Sequence, residues 1–203
     1  MKNLKLLLLS VLLLSIFSCK RSAESYYKEA ADSIHAGNFR IAEHLCTKAI
    51  ELKPDYAFAY AGRGMTRLAL HNYSSSLSDY EKALSLDPNL KKNAYSGMAC
   101  DKHSLKDYPG ALQLFGKAIS IEPKNAGNYA ERALTKIAMN DLQGALNDYN
   151  EAINLSPNYG YYYLSRGLLK NDMKDKNNAC IDLKKARQLG DKSAEGWMYG
   201  ICN

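Results

Sequence analysis

The sequence predicts an all-α fold: five helical hairpins stacked in line and closed by a short C-terminal helix. Three observations carry this reading. Prolines stand at near-equal intervals, Pro54, Pro88, Pro123 and Pro157, separated by 34, 35 and 34 residues. A constant period of this size marks a repeat architecture in place of one globular core. Small residues recur in three columns: Ala30, Gly64, Ala99, Ala133 and Gly167; Ala42, Ser76, Ala111, Ala145 and Ala179; Ala49, Ala83, Ala118, Ala152 and Ala186. Larger residues recur in two more: Tyr26, Tyr60, Tyr95, Tyr129 and Tyr163, and Cys46, Tyr80, Phe115, Tyr149 and Leu183.

The units run 23–56, 57–90, 91–125, 126–159 and 160–191, the last with Asp191 where the others have proline. Each reads as two helices. Small side chains belong where the two cross, because a larger Cβ substituent would push the axes apart. An Asn or Asp lies between them in every unit (Asn38, Asn72, Asp107, Asp141, Asp175). There a short polar acceptor is expected to cap the second helix. Pro109 follows in a first turn, where its missing N–H costs little. The unit-end prolines stop the second helix and begin the next connection. Residues 192–203 come after the fifth unit. Ala194, Trp197, Met198 and Ile201 recur there at helical spacing, which predicts a capping helix over the open end of the stack.

Two columns change together. Arg63, Arg132 and Arg166 on first helices are matched sixteen residues later by Asp79, Asp148 and Asp182 on second helices. The other two units carry Glu29 with Leu45 and Met98 with Leu114. An intra-unit salt bridge is expected in units two, four and five. As a partly exposed pair it would contribute under ~1 kcal/mol.

This pattern resembles the tetratricopeptide repeat over about residues 23–191. The resemblance implies a right-handed α-solenoid whose first helices line an inner, partner-binding face. On this chain that face would include Phe58, Ala61, Met65 and Leu68, then Ser96, Cys100 and His103, then Ala130, Leu134 and Ile137, and then Tyr161, Leu164, Leu168 and Asn171. The strip is apolar and lightly aromatic, suited to an extended peptide or a partner helix. Chaperone-binding members carry Lys and Asn there to hold a C-terminal carboxylate. That lining is missing here, so a clamp of that kind is not expected.

Residues 1–18 stand outside the array. Lys2 and Lys5 precede an apolar run of signal-peptide length at 6–17, too short for a typical spanning helix. Ile16-Phe17-Ser18-Cys19 resembles a bacterial lipobox. That resemblance implies lipidation of Cys19, a short tether at 19–22 and an envelope protein anchored to a membrane, by the following Lys20 the outer one. The competing reading is ordinary cleavage with Cys19 a plain thiol.

Four other cysteines remain. Cys46 sits in a core column. Cys46 and Cys100 lie in units separated by a whole unit and are not expected to pair. Cys180, in a column with Leu77, Leu112 and Leu146, faces the cap that bears Cys202. A disulfide there would staple the cap in an oxidising compartment; two free thiols are the alternative.

Chemistry has no visible carrier. His35, His44, His71 and His103 form no metal pair, and His103, near a helix end, would favour the carbonyl terminus as a cation. Gly62-x-Gly64 falls inside a helix and serves close packing. The formal charge is +6, and +4 without Lys2 and Lys5, with both signs interspersed; no nucleic-acid footprint follows. No cofactor, metal or catalytic residue is expected. The expected function is a scaffold or adaptor binding other envelope proteins. The alternative is a glycan- or peptidoglycan-associated assembly factor, hinted at by the tyrosines of 159–163.

Overall fold

The computed structural model describes residues 21–202. The expected signal segment, 1–18, and Cys19 lie outside them. Eleven α-helices and one 3₁₀ turn account for the described secondary structure, with no strand. The helices are α1 Ala23–His35, α2 Phe39–Leu52, α3 Ala57–Ala69, α4 Tyr73–Leu86, α5 Lys91–Ser104, α6 Tyr108–Ile121, α7 Ala126–Ala138, α8 Leu142–Leu155, α9 Gly160–Asp172, α10 Lys176–Gln188 and α11 Ser193–Ile201. They pair as five hairpins, α1/α2 to α9/α10. Each second helix also packs on the first helix of the next hairpin, which makes an α-solenoid.

The small-residue columns are the crossings. Ala42, Ser76, Ala111, Ala145 and Ala179 are wholly buried, as are Ala30, Ala99 and Ala133 opposite them. A methyl lets the helix axes approach; anything longer would separate them. The larger column fills the space beside each crossing, and Cys46, Tyr80, Phe115, Tyr149 and Leu183 are all buried. Burial pushes the Cys46 thiol up to about 12, so it packs as an apolar group.

Every hairpin turns the same way. Gly37, His71, Lys106, Asn140 and Lys174 occupy the left-handed region, with φ between 62° and 74°. The next residue closes the first helix with a six-residue hydrogen bond: Asn38 N–H to the Ser33 carbonyl (2.8 Å), and Asp107 N–H to Lys102 (2.8 Å). This is a Schellman ending. The same residue opens the second helix, since the Asn38 carbonyl accepts from Ala42 N–H at 3.0 Å. Side-chain capping differs from expectation. Asp107, Asp141 and Asp175 accept from the backbone N–H of Gly110, Gly144 and Asn178. Asn38 and Asn72 make no side-chain cap bond; in those units the helix start rests on the backbone turn alone.

The joint after unit two carries the extra residue of the 35-residue step. It falls between Pro88 and Tyr95, where the connection tightens into the 3₁₀ turn Pro88–Leu90 and α5 has 14 residues against 13 in α3, α7 and α9. At the far end α11 lays Ala194, Met198 and Ile201 against Leu164, Leu183 and Ala186, and Cys180 and Cys202 are bonded. Trp197 does not join this contact. It is 52% exposed, because the buried stripe of so short a helix is used up by positions 194, 198 and 201.

Candidate functional site

First helices α3, α5, α7 and α9 bring the expected strip together along one face. The structure divides it in two. Phe58, Met65 and Tyr161 are exposed and free to meet a partner, at 46%, 44% and 39%. Ala61, Leu68, Leu134, Ile137, Leu168 and Asn171 are half-buried. Ala130 and Leu164 are buried, contrary to their assignment to the open face. Ala130 turns into the joint between units four and five, in one cluster with Tyr162, and Leu164 turns into the cluster that unit five forms with the cap, with Leu183, Ala194 and Ile201.

Two polar members of the strip, Ser96 and His103, are already engaged between units. Ser96 donates to Asn128 Oδ1 at 2.7 Å. His103 Nδ1 lies 3.0 Å from Thr135 Oγ1, whose own proton goes to the Glu131 carbonyl oxygen at 3.1 Å. The imidazole is therefore the donor. Burial lowers its pKa below the usual histidine value, which corrects the expectation of a cation at the helix end. Burial likewise pushes the Cys100 thiol up to about 12. At Gly97 an added Cβ would stand 2.4 Å from Tyr80 Oη, so glycine there is what lets α5 approach that ring.

Aromatic rings gather at two stations. Tyr27, Tyr56 and Phe58 meet at one end, with centroids 5.4–6.2 Å apart. Tyr159, Tyr161 and Tyr162 meet at the other, Tyr159 and Tyr162 edge to face at 4.7 Å. The second station is visible in the sequence as a tyrosine run. The first joins two units and has no local signature.

Sequence reasoning misses Glu131. It lies on α7 between Cys100 of α5 and Tyr162 of α9, and its charge is felt at both and at Tyr149. Its side chain reaches solvent, yet protein on either flank removes enough hydration to raise its carboxyl pKa. A signal is present: it is the one acid in a column that otherwise reads Lys28, Gly62, Gly97 and Ser165.

Behind the groove, each hairpin with an Arg–Asp pair holds a network. Arg63 grips Asp79 with Nε at 2.9 Å and Nη2 at 2.8 Å. Arg132 grips Asp148 at 2.8 and 2.7 Å, and Arg166 grips Asp182 at the same distances. One turn later on the same helix a second cation joins: Arg67 to Asp79 (2.8 Å), Lys136 to Asp148 (2.7 Å), Lys170 to Asp182 (2.8 Å). The three guanidinium groups also lie 5.5–5.6 Å from the ring centroids of Tyr60, Tyr129 and Tyr163. The aspartates are buried, at 3–4% exposure, so the picture of a partly exposed pair does not hold. Two cations offset the loss of hydration at each buried carboxylate.

Comparisons with known proteins agree with this geometry. A family model described as "Tetratricopeptide repeat" matches residues 59–90 and 126–159. Among curated proteins, RNA polymerase II-associated protein 3 of Xenopus laevis is 55% identical over 51 residues, which is 25% of this chain and 8% of that protein. This chain thus spans a small part of that relative. Among solved structures, a thermophilic TPR protein of Thermus thermophilus superposes with a TM-score of 0.74 at 15% identity, covering 89% of this chain and 99% of the other. YrrB, described as a TPR protein with an unusual peptide-binding site, gives 0.63 at 18% identity, covering 89% and 92%. Residues 59–90 and 126–159 are thus tetratricopeptide repeats, within an α-solenoid of the kind those proteins share.

Proposed function

We propose that this chain is a protein-interaction adaptor of the bacterial cell envelope, tethered to the membrane through lipidated Cys19 and binding an extended peptide or partner helix along its first-helix groove. The observation that carries it is the exposure of Phe58, Met65 and Tyr161 on one face, while the apolar columns around them are consumed by packing between helices. An apolar side chain from a partner docking there would be driven by the area it removes from water. The tetratricopeptide repeats and the peptide-binding site of YrrB support the groove; the lipobox-like segment supports the anchor. The reading as a glycan-associated factor draws on the exposed rings of Tyr159 and Tyr161, which a sugar face could stack on.

The test is site-specific photocrosslinking in intact cells. A photoreactive residue replacing Phe58 or Tyr161 should trap a discrete protein adduct, and one replacing Lys82 on the outer face should not. Equal trapping from both faces, or none from the groove, removes the proposal. Labelled fatty acid should enter the wild-type chain and be lost in Cys19→Ala; unchanged incorporation would remove the anchor.

A further inference from the structure

The three buried aspartates of the second helices each hold two cations. Glu131, in the groove, holds none: among the described residues no Lys, Arg or His forms an ion pair with it. The hydroxyls of Tyr149 and Tyr162 and the Cys100 thiol feel its charge, and burial keeps all three protonated and neutral. The exposed ring of Tyr161 stands beside them, 6.1 Å from Tyr162 centroid to centroid. One turn earlier on α7, Asn128 is buried with an amide nitrogen that has no acceptor, so hydrogen bonding along this wall of the groove is incomplete.

The carboxylate reaches solvent in the groove, loses part of its hydration to the protein on either flank, and has no ion-pair partner among the described residues. We propose that it forms a receptor site for one basic side chain, Lys or Arg, of the bound segment, with Glu131 as counter-ion and Tyr161 as the wall along which the aliphatic stem lies. The inference rests on the groove reading above and specifies its partner: an extended segment with a basic residue placed between apolar or aromatic anchors. A carboxylate or phosphate ligand is disfavoured at this position by the charge of Glu131 itself. The aromatic wall adds a cation–π contact to the ion pair. Because the chain as a whole is net positive, long-range attraction does not recruit a basic segment. Recognition comes from this local site.

The test is selection from a random dodecamer peptide library displayed on phage, against the full chain purified in detergent and against Glu131→Gln. Glu131 makes no side-chain bond within the protein, so both proteins should give matching melting curves. Wild type should enrich peptides with Lys or Arg at a fixed distance from apolar residues. Glu131→Gln should keep the apolar preference and lose the basic one. A selected peptide, synthesised free of phage, should bind the variant roughly five- to tenfold more weakly, with the gap narrowing at high salt. Enrichment of apolar peptides without a basic position, or the same basic preference in the variant, overturns the counter-ion site while leaving the groove standing. Failure of both proteins to enrich any peptide overturns the groove reading and this site together.

Discussion

Unit three and its neighbours share one backbone and handle buried charge in opposite ways. Units two, four and five hold an aspartate under two cations. Unit three fills the same slot with Met98 and Leu114, and its column cation, Lys102, turns outward to Asp107 at 2.8 Å. It then buries a different carboxylate. Asp101 has no exposed surface and neither oxygen has a hydrogen-bond partner. The corresponding positions are Asp32, which is exposed, and Thr66, Thr135 and Leu169; Thr66 and Thr135 satisfy their hydroxyls on the carbonyls of Arg63 and Glu131. Ser76, close enough to Asp101 to oppose its shift, gives its proton to the Gly64 carbonyl at 2.7 Å. Lost hydration raises the Asp101 pKa from 3.8 to about 7. The contrast teaches that the repeat tolerates either an apolar slot or a fully compensated ionic one, and that the joint between units two and three departs from both.

The largest effect should come from half-dismantling a network. Arg132→Met leaves Asp148 buried beside Lys136 alone and should lower stability by about 3 kcal/mol. Adding Asp148→Leu recreates the slot of unit three and should restore most of the loss in urea unfolding. If the double variant is as unstable as the single one, the two slots are not interchangeable.

Next is Asp101→Thr. The folded-state pKa of Asp101 is raised, so the folded protein keeps a proton that the unfolded chain releases. Stability should therefore fall as pH rises from about 4 to 7 and stay level above. The variant should match wild type near pH 4 and exceed it at pH 8 by up to about 4 kcal/mol, since each tenfold change in proton affinity on folding corresponds to ~1.4 kcal/mol. Equal pH profiles for the two proteins would show that the carboxyl finds a partner in solution.

Unit five supplies a third contrast, because its outer edge is covered by a single short helix. Cys202→Ser should lower stability by roughly 3 kcal/mol, the cost of freeing a loop of 22 residues. Hydrogen exchange should show the loss confined to α9–α11. The smallest effect is at a turn. Lys106 has φ 63° where unit one has Gly37 at 74°, so Lys106→Gly should gain up to about 1 kcal/mol in thermal unfolding, and Gly37→Lys should lose as much. The sign reverses if the Lys106 side chain shields the turn.

The hairpins are legible because wholly buried methyl columns admit little substitution, so the period survives in every unit. The first cation of each network is readable because Arg and Asp change together. The second is hidden because Lys102 keeps the column in unit three, where the aspartate is gone. The left-handed turn is legible at Gly37 and, more weakly, at Asn140 and His71, residue types that tolerate positive φ; Lys106 and Lys174 carry no signature of it. Helical phase puts Ala130 and Leu164 on the open face because phase alone does not say how far the next unit reaches over. Glu131 is the one acid in its column, and a method that looks for recurrence passes over it; Asp101 shares its column with Asp32, which is exposed, so the sequence does not mark which of the two aspartates is buried.

The shared turn residue has an evolutionary consequence. Asn38 and its counterparts end one helix and begin the next, so an insertion at the hairpin would swing the second helix by ~100° and carry its methyl stripe off the seam. The stretch after Pro88 has absorbed an extra residue without that penalty. Length variation in relatives of this array should therefore collect between hairpins, where spacing can drift, and spare their bends, where register is locked.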